Sequence, residues 1–293
     1  MKKAILLGAN GYLGRHIAYF LKQQQIEFIP TDVAETSVDN YTNYRKIDVT
    51  NINELQQLDF NVDYVFVFAG LTGTGNSSGI IEKFTKVNEE GLANVIHCCN
   101  GVEGLRIVFP STRLVYKGIE NSPLKENAEK ESKTIYAKNK IACEQMLEES
   151  NVDYTTFRIC VPYGNLIDDN YSYGTIGFFI SKASKGENIT IYGDGSLKRT
   201  FTHVSDITQS IFKAIQLEST INTVYNIGSN DALSLLEVAN LVALKYGVKV
   251  EFVDWPEEAL KIESGDTIFD DEKLQTAINY NYKHSLGQWI TEI

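Results

Sequence analysis

The sequence predicts an α/β fold, a Rossmann-type doubly wound parallel sheet with a smaller carboxy-terminal substrate domain, and three observations carry that expectation. Short apolar runs of strand type alternate with stretches of helical periodicity through the first half of the chain. A glycine-rich turn joins the first strand to the first helix. The run Tyr64-Val65-Phe66-Val67-Phe68 is apolar throughout, as strands covered on both faces are.

Taken in order, Lys3 to Leu7 is a strand, Gly8-Ala9-Asn10-Gly11-Tyr12-Leu13-Gly14 is the turn, and a helix runs on to about Gln24. Gly8 permits a tight turn, Gly11 lets the backbone approach a pyrophosphate, and Gly14 lets the helix pack on the strand. The free N–H groups of the helix start then face the anion. The spacing is Gly-x-x-Gly-x-x-Gly, shifted from the Gly-x-Gly-x-x-Gly dinucleotide fingerprint. A second strand, Glu27 to Thr31, ends at Asp32, placed where an acid hydrogen-bonds the hydroxyls of an adenosine ribose. That acid repels a 2′-phosphate, so the expected cofactor is NAD rather than NADP.

Tyr44 to Ile47 reads as a third strand, followed by Asp48-Val49, and Tyr64 to Phe68 as a fourth. The fourth enters a small-residue loop, Ala69-Gly70-Leu71-Thr72-Gly73-Thr74-Gly75-Asn76, able to lie against a cofactor. Glu82 to Asn100 is expected to be one helix containing Asn88, and Arg106 to Phe109 a fifth strand leading into Pro110-Ser111-Thr112. In an open parallel sheet ligands bind beyond the carboxyl ends of the strands, so Gly8, Asp32, Ala69 and Thr112 should border one crevice. A sixth strand, Tyr154 to Ile159, precedes Val161-Pro162-Tyr163-Gly164 and a helix near Gly177 to Lys185. Ile189 to Arg199 is a short strand, a glycine turn and two cations; Ser205 to Gln216 and Ser234 to Tyr246 are helices with serine caps. The expected division is an NAD-binding domain over 1–160, with a return near 200–228, and a mostly substrate-binding domain over 161–293.

Between the fifth and sixth strands lies Tyr136-Ala137-Lys138-Asn139-Lys140, which sets a tyrosine and a lysine on one helical face. An ammonium about 4 Å from the phenol oxygen attracts a phenolate by roughly 4 kcal/mol at an effective dielectric of about 20. That lowers a phenol pKa of ~10 by about three units, enough for a general base near neutral pH. The spacing alone is common on helices, so its meaning rests on the rest of the chain.

The 293 residues carry 27 Lys plus Arg against 38 Asp plus Glu, a net charge of −11. That balance argues against nucleic acid or an anionic membrane surface as the main partner. Cys98, Cys99, Cys143 and Cys160 lack Cys-x-x-Cys spacing, so no metal site or disulfide is expected and a reducing cytoplasm is the natural compartment. The apolar run opening the chain stops at Gly8, short of a signal peptide, and no run reaches membrane-spanning length. A soluble cytoplasmic protein is the expectation.

The glycine turn, Asp32, Ser111-Thr112 with Val115-Tyr116, and Tyr136-x-x-x-Lys140 together resemble the extended short-chain dehydrogenase/reductase family, in particular its nucleotide-sugar epimerases and dehydratases. Arg158 with Tyr163-Gly164, the Gly193-Asp194-Gly195 to Arg199 run, Val204 with Asp206, and Tyr225-Asn226-Ile227-Gly228 extend the resemblance over nearly the whole chain. It implies a catalytic set of Thr112, Tyr136 and Lys140, with Tyr136 as base, Lys140 also holding the nicotinamide ribose, and Thr112 hydrogen-bonding the reacting sugar oxygen. NAD contacts are implied at Gly8, Asn10, Gly11, Tyr12, Leu13, Gly14, Asp32, Ala69, Gly70, Leu71, Asn88, Ser111 and Pro162, with Asp48 and Val49 flanking the adenine. Substrate contacts are implied at Thr72, Thr112, Val161, Tyr163, Tyr192, Asp266 and Arg199, the last matching a phosphate-binding arginine.

Three departures from the family pattern matter. Val161 stands where asparagine is common, and Glu263 stands before Gly265-Asp266 where a second phosphate-binding arginine is common. A diphosphate then has fewer partners, and Lys261 substitutes only as a point charge without bidentate geometry. Related 4,6-dehydratases carry Asp-Glu directly after the catalytic threonine, whereas Arg113-Leu114 follow here, which removes the acid/base pair for water loss. The resemblance therefore implies an NAD-dependent epimerase of a nucleotide sugar acting at C4, paired as a homodimer through the Tyr136 helix, where Ile141, Met146 and Leu147 add apolar area. The alternatives are a reductase of a 4-keto-6-deoxy nucleotide sugar using exchangeable NAD(P)H and, from another class, a non-catalytic dinucleotide-sensing scaffold.

Overall fold

The computed structural model describes residues 2–73 and 78–293, so Thr74, Gly75 and Asn76 of the small-residue loop lie outside the described residues. The chain divides into two compact units. The first comprises Met1–Val115, Thr134–Arg158 and Phe212–Val224, the second Tyr116–Lys133, Ile159–Ile211 and Tyr225–Ile293. The excursion Tyr116–Lys133 carries no compositional signal and was not separated in the sequence.

A seven-stranded sheet runs, from edge to edge, Thr223–Ile227, Asp153–Ile159, Arg106–Thr112, Tyr64–Val67, Lys3–Leu7, Glu27–Asp32 and Arg45–Lys46. The pairs from Arg106–Thr112 outward to Arg45–Lys46 are parallel, with Ile5 opposite both Ile29 and Val65. Strand order reverses beside Lys3–Leu7, which makes its carboxyl end a topological switch point. Ile5, Leu7, Val65, Val67, Ile107 and Phe109 are buried in one core with Leu92, Val95 and Leu147. Burying each such side chain stabilises the fold by about 1.5–3 kcal/mol before entropy is counted. The helix Tyr12–Gln23 joins the sheet through Gly14, Ile17, Ala18 and Leu21, spaced three and four apart on one face.

Two elements differ from expectation. The third strand shrinks to Arg45–Lys46, an exposed edge with little to bury. The single helix expected over Glu82 to Asn100 is Ser78–Thr85, a π-helical turn over Lys86–Glu90, and Gly91–Cys99. The π-turn coincides with side-chain ties. Asn88 accepts from the Leu71 N–H at 2.7 Å and donates to its carbonyl at 3.1 Å, while a Cβ on Gly91 would stand 2.8 Å from Val49. One extra residue in the turn lets both close approaches be made.

The second unit holds a three-stranded sheet in which Lys198–His203 lies between Ala232–Ser234, antiparallel, and Val161–Tyr163, parallel. Ile189–Tyr192 pairs with Val250–Val253 and Pro123–Leu124 with Ile268–Phe269. Ser234 caps the helix Leu235–Tyr246 through a reciprocal box with Glu237, and Gly247 closes it at φ +70°. The helix expected near Gly177 to Lys185 spans Gly174–Ala183. Among the described residues no helix is long and apolar enough to cross a membrane.

Candidate active site

The switch point of the first unit opens into a cleft of 650 Å³ bordered by Gly8, Gly11, Asp32, Asp48, Val49, Ala69, Gly70 and Leu71. Its floor depends on absent side chains. A Cβ on Gly8 would stand 2.3 Å from the Ala69 nitrogen, and one on Gly14 would stand 1.9 Å from the Gly8 carbonyl oxygen. Gly11 meets nothing nearer than 3.5 Å, and as N-cap of Tyr12–Gln23 it offers no side chain to the first-turn N–H groups. Tyr12 and Leu13 form that first turn, which carries no acid and suits an anion.

Asp32 accepts from the Asn10 N–H at 3.0 Å. The Asn10 amide spends itself on the loop beyond, accepting from Val38 N at 2.8 Å and donating to the Thr36 carbonyl at 3.0 Å. Asn10 therefore shapes the rim that presents Asp32. Asp48 is fixed by accepting from the Thr50 N–H and hydroxyl at 2.9 and 2.8 Å. Asn88 is buried and holds the Leu71 backbone, so its place is behind the cleft wall. Lys83 and Lys86 also line the cleft and were missed in the sequence. Their signal was two cations three apart opening the helix after the fourth strand, but the π-turn that presents Lys86 has no sequence signature.

Thr112 ends the strand Arg106–Thr112, buried, with its hydroxyl accepting from the Leu114 N–H at 3.3 Å. The helix Ile135–Glu148 is capped by the Thr134 hydroxyl, which accepts from Ala137 N at 3.1 Å and sets Tyr136 in the opening turn. Lys140 is buried: its Nζ donates to the Pro110 carbonyl at 2.6 Å and lies 4.2 Å from the Phe109 ring centroid and 5.9 Å from that of Tyr136. Burial pulls the Lys140 ammonium down to about 8, against partial support from Cys143 and Glu144. At neutral pH it remains mostly charged. The lysine thus bridges the strand end that carries Thr112 and the helix that carries Tyr136.

Behind this set is a buried network. The Ser111 hydroxyl donates to Glu144 at 2.6 Å, and Arg158 grips the same carboxylate through Nε at 2.9 Å and Nη2 at 2.6 Å. Asn139 donates to Glu89 and, at 3.4 Å, to the Thr85 hydroxyl, which ties the helix Ile135–Glu148 to the π-turn. Ser111 accordingly faces the protein interior. Glu144, one helical turn beyond Lys140, carries no sequence signal for this supporting place, which only its contacts with Ser111 and Arg158 reveal.

The remaining candidates divide between the units. Thr72 is exposed on the first. In the second, Val161 is buried, Pro162 is half-buried opposite Thr202, and Tyr163 packs between His203 and Trp289 at 5.2 and 5.0 Å. Burial pushes the Tyr163 hydroxyl far above the usual phenol range. Tyr192 is exposed against Trp255. Both Asp266 oxygens hold backbone N–H groups, of Lys198 at 2.8 Å and Asn121 at 2.9 Å, which makes that carboxylate a tie between segments. Arg199 is buried and paired with Glu263 at 2.8 Å.

Strand order, the glycine cradle and an acid at the cleft end of the second strand define a dinucleotide-binding α/β protein. Residues 4–228 match the NAD dependent epimerase/dehydratase family, and the chain belongs to it. It is 28% identical to a GDP-L-fucose synthase of Azorhizobium caulinodans over 86% of this chain and 83% of that one. It is 25% identical to UDP-glucuronic acid decarboxylase 1 of Danio rerio over 82% of this chain, spanning 60% of that protein's length. The structure of a Thermus thermophilus UDP-glucose 4-epimerase in complex with NAD shares the fold with a TM-score of 0.85, covering 99% of this chain and 96% of that one at 21% identity. The cofactor is NAD, and the cradle fits it: close packing at Gly8 and Gly14 draws the turn tight, Gly11 at the helix start borders the cleft with no side chain between it and an anion, and Asp32 suits an unphosphorylated ribose.

Proposed function

We propose that the protein is an NAD-dependent epimerase of a nucleotide sugar, acting at C4. The observation that carries the reading is the Lys140 bridge from Pro110, two residues before Thr112, to the helix of Tyr136. Gly8, Gly11, Gly14, Asp32 and Lys140 would hold NAD, which when bound would supply a reversible hydride acceptor. Tyr136 takes the C4 hydroxyl proton, the 4-ketose turns its other face toward the cofactor, and Tyr136 gives the proton back, while the Thr112 hydroxyl donates a hydrogen bond to the same oxygen. Lys140, charged at neutral pH, favours the phenolate. Arg113-Leu114 after Thr112 offer no acid/base pair for water loss, which disfavours dehydration. The second unit is assigned the sugar nucleotide, with Arg199 toward phosphate.

A reductase of a 4-keto-6-deoxy nucleotide sugar is the second reading, favoured by the 28% identity to a GDP-L-fucose synthase. It uses Tyr136 and Thr112 once per turnover and consumes NADH. Incubation with a panel of nucleotide sugars, with and without added NADH, separates the two. Epimers formed without net NADH loss support the proposal, and product formed only with stoichiometric NADH oxidation replaces it with the reductase. The protein is also proposed to work in the cytoplasm as a homodimer through the Tyr136 helix. Leu147 of that helix is spent on the subunit core and Met146 packs partly against it, which leaves half-buried Ile141 and the exposed part of Met146 for pairing. A monomeric mass by light scattering at micromolar concentration removes the pairing claim.

A further inference from the structure

Arg199 sits on the middle strand of the three-stranded sheet, its backbone held by Leu233 on one side and by a bridge to Thr267 on the other. Its side chain is only 6% exposed. Nη2 donates to Glu263 Oε2 at 2.8 Å, while Nε is buried with no hydrogen-bond partner among the described residues. The other Glu263 oxygen accepts from Ser264 N at 2.9 Å and Gly265 N at 3.2 Å, with Gly265 at φ +82°. Successive N–H groups converging on one oxygen form a nest, and a nest beside a guanidinium has the composition of a phosphate site. Here it holds the chain's own carboxylate. Lys133 adds a cation to the same segment, donating to the Glu263 carbonyl at 2.7 Å.

We infer that Glu263 is a built-in competitor for a ligand phosphate at the Arg199 seat, and so a specificity-determining residue of the second unit. The inference rests on the nucleotide-sugar reading for the natural ligand, whereas the seat itself stands on the geometry. A phosphate arriving at Arg199 meets a guanidinium already neutralised, and two anions on one guanidinium repel. It binds by displacing the carboxylate. Glu263 is 16% exposed, which gives it a path outward, and the unpaired Nε gives the incoming oxygen a donor the carboxylate does not use. The ligand best admitted is one whose other contacts offset that displacement, so a bare anion is rejected while a phosphate carried on a larger ligand is accepted.

Calorimetric titration of the NAD-loaded full chain with inorganic pyrophosphate tests this. Glu263→Gln keeps the side-chain shape and removes the competing charge, so its affinity for pyrophosphate should rise about tenfold or more over wild type. Glu263→Asp retracts the carboxylate by one methylene and should show a smaller gain, which keeps the test decisive if the amide variant folds poorly. Adding Arg199→Met to Glu263→Gln should erase the gain. Unchanged affinity in both Glu263 variants, or a gain that survives Arg199→Met, overturns the inference. A gain in Glu263→Gln alongside a wild type that turns over no nucleotide sugar keeps the seat and removes the substrate reading. Turnover without a gain does the reverse.

Discussion

Each compact unit buries an arginine–glutamate pair, and the two are built to different ends. Arg158 meets Glu144 through two parallel contacts, with side chains 3% and 4% exposed, and Ser111 adds a third donor to the carboxylate. Arg199 meets Glu263 through one contact and keeps a spare buried donor, and its partner reaches solvent. A buried pair gains little net stability over an apolar replacement, because desolvating both charges offsets most of the attraction. What it fixes is position. The Glu144 pair stands directly behind the proposed catalytic residues, since Ser111 adjoins Thr112 and Glu144 follows Lys140 by one turn, so rigidity there holds those side chains in place. The Glu263 pair has the looser construction expected of groups that must part when a ligand arrives.

The largest expected effect separates chemistry from that rigid frame. Tyr136 is half-buried in the opening turn of the helix Ile135–Glu148. Tyr136→Phe removes the proton acceptor and leaves the glycine cradle, Asp32 and Lys140 in place. Loss of a general base costs 10²–10⁴-fold, about 3–5 kcal/mol of barrier. Turnover should fall by at least about a hundredfold, NAD affinity by no more than about 1 kcal/mol, and chemical denaturation should shift by about 0.5 kcal/mol or less. A variant keeping more than about a tenth of the wild-type rate on the true substrate would break the general-base assignment.

The next effect compares the pairs themselves. Glu144→Gln leaves Arg158 buried without its counter-charge and should cost about 3–5 kcal/mol of stability. Turnover should fall with it, because Ser111 and the strand end lose their anchor. Glu263→Gln should cost only about 1–2 kcal/mol, since the carboxylate is partly solvated and its backbone donors keep an amide oxygen as acceptor. Urea denaturation of the two variants side by side gives the difference. Equal costs would mean that the second pair is as closed as the first, and the displaceable carboxylate would go with it.

The sequence displayed the sheet because each strand is a continuous apolar run beside a helix of regular period, and both signals are local. The glycine turn and Asp32 were legible for the same reason, since their spacing within one strand–turn–helix unit forces them to one rim. What was hidden depends on contacts between distant residues. Glu263 read as a lost phosphate partner, and only the fold brings it onto Arg199, 64 positions away, to stand in the seat of the missing anion. Lys86 needed the π-turn, which follows from Asn88 reaching Leu71 rather than from helical propensity. The Lys140 hydrogen bond goes to the Pro110 carbonyl, a backbone partner no side-chain pattern reveals.

The last effect concerns the lysine that joins the two halves of the proposed catalytic set. Lys140 has a folded pKa of about 8 against 10.5 for the free group, because burial penalises the ammonium. A lowered value means that below about pH 8 the folded state bears the whole cost of a buried charge, at most about 3 kcal/mol. The hydrogen bond to Pro110 returns part of it. Between about pH 8 and 10.5 the folded protein sheds the proton while the unfolded chain keeps it, so the unfolded state binds more protons and wild-type stability from this group rises with pH. Lys140→Met removes the charge and keeps most of the volume. At pH 7 it should therefore be as stable as wild type or more stable by up to about 2 kcal/mol, and that advantage should shrink as pH climbs past 8. Activity should run the opposite way, with NAD affinity and turnover falling together, since the proposed roles give one ammonium both the ribose and the phenolate. Paired denaturation curves at pH 7 and pH 9.5 decide it: a Lys140→Met variant less stable than wild type at pH 7 would show that the ammonium is held by its Pro110 bond as structure, with no stability given up for its role beside Tyr136.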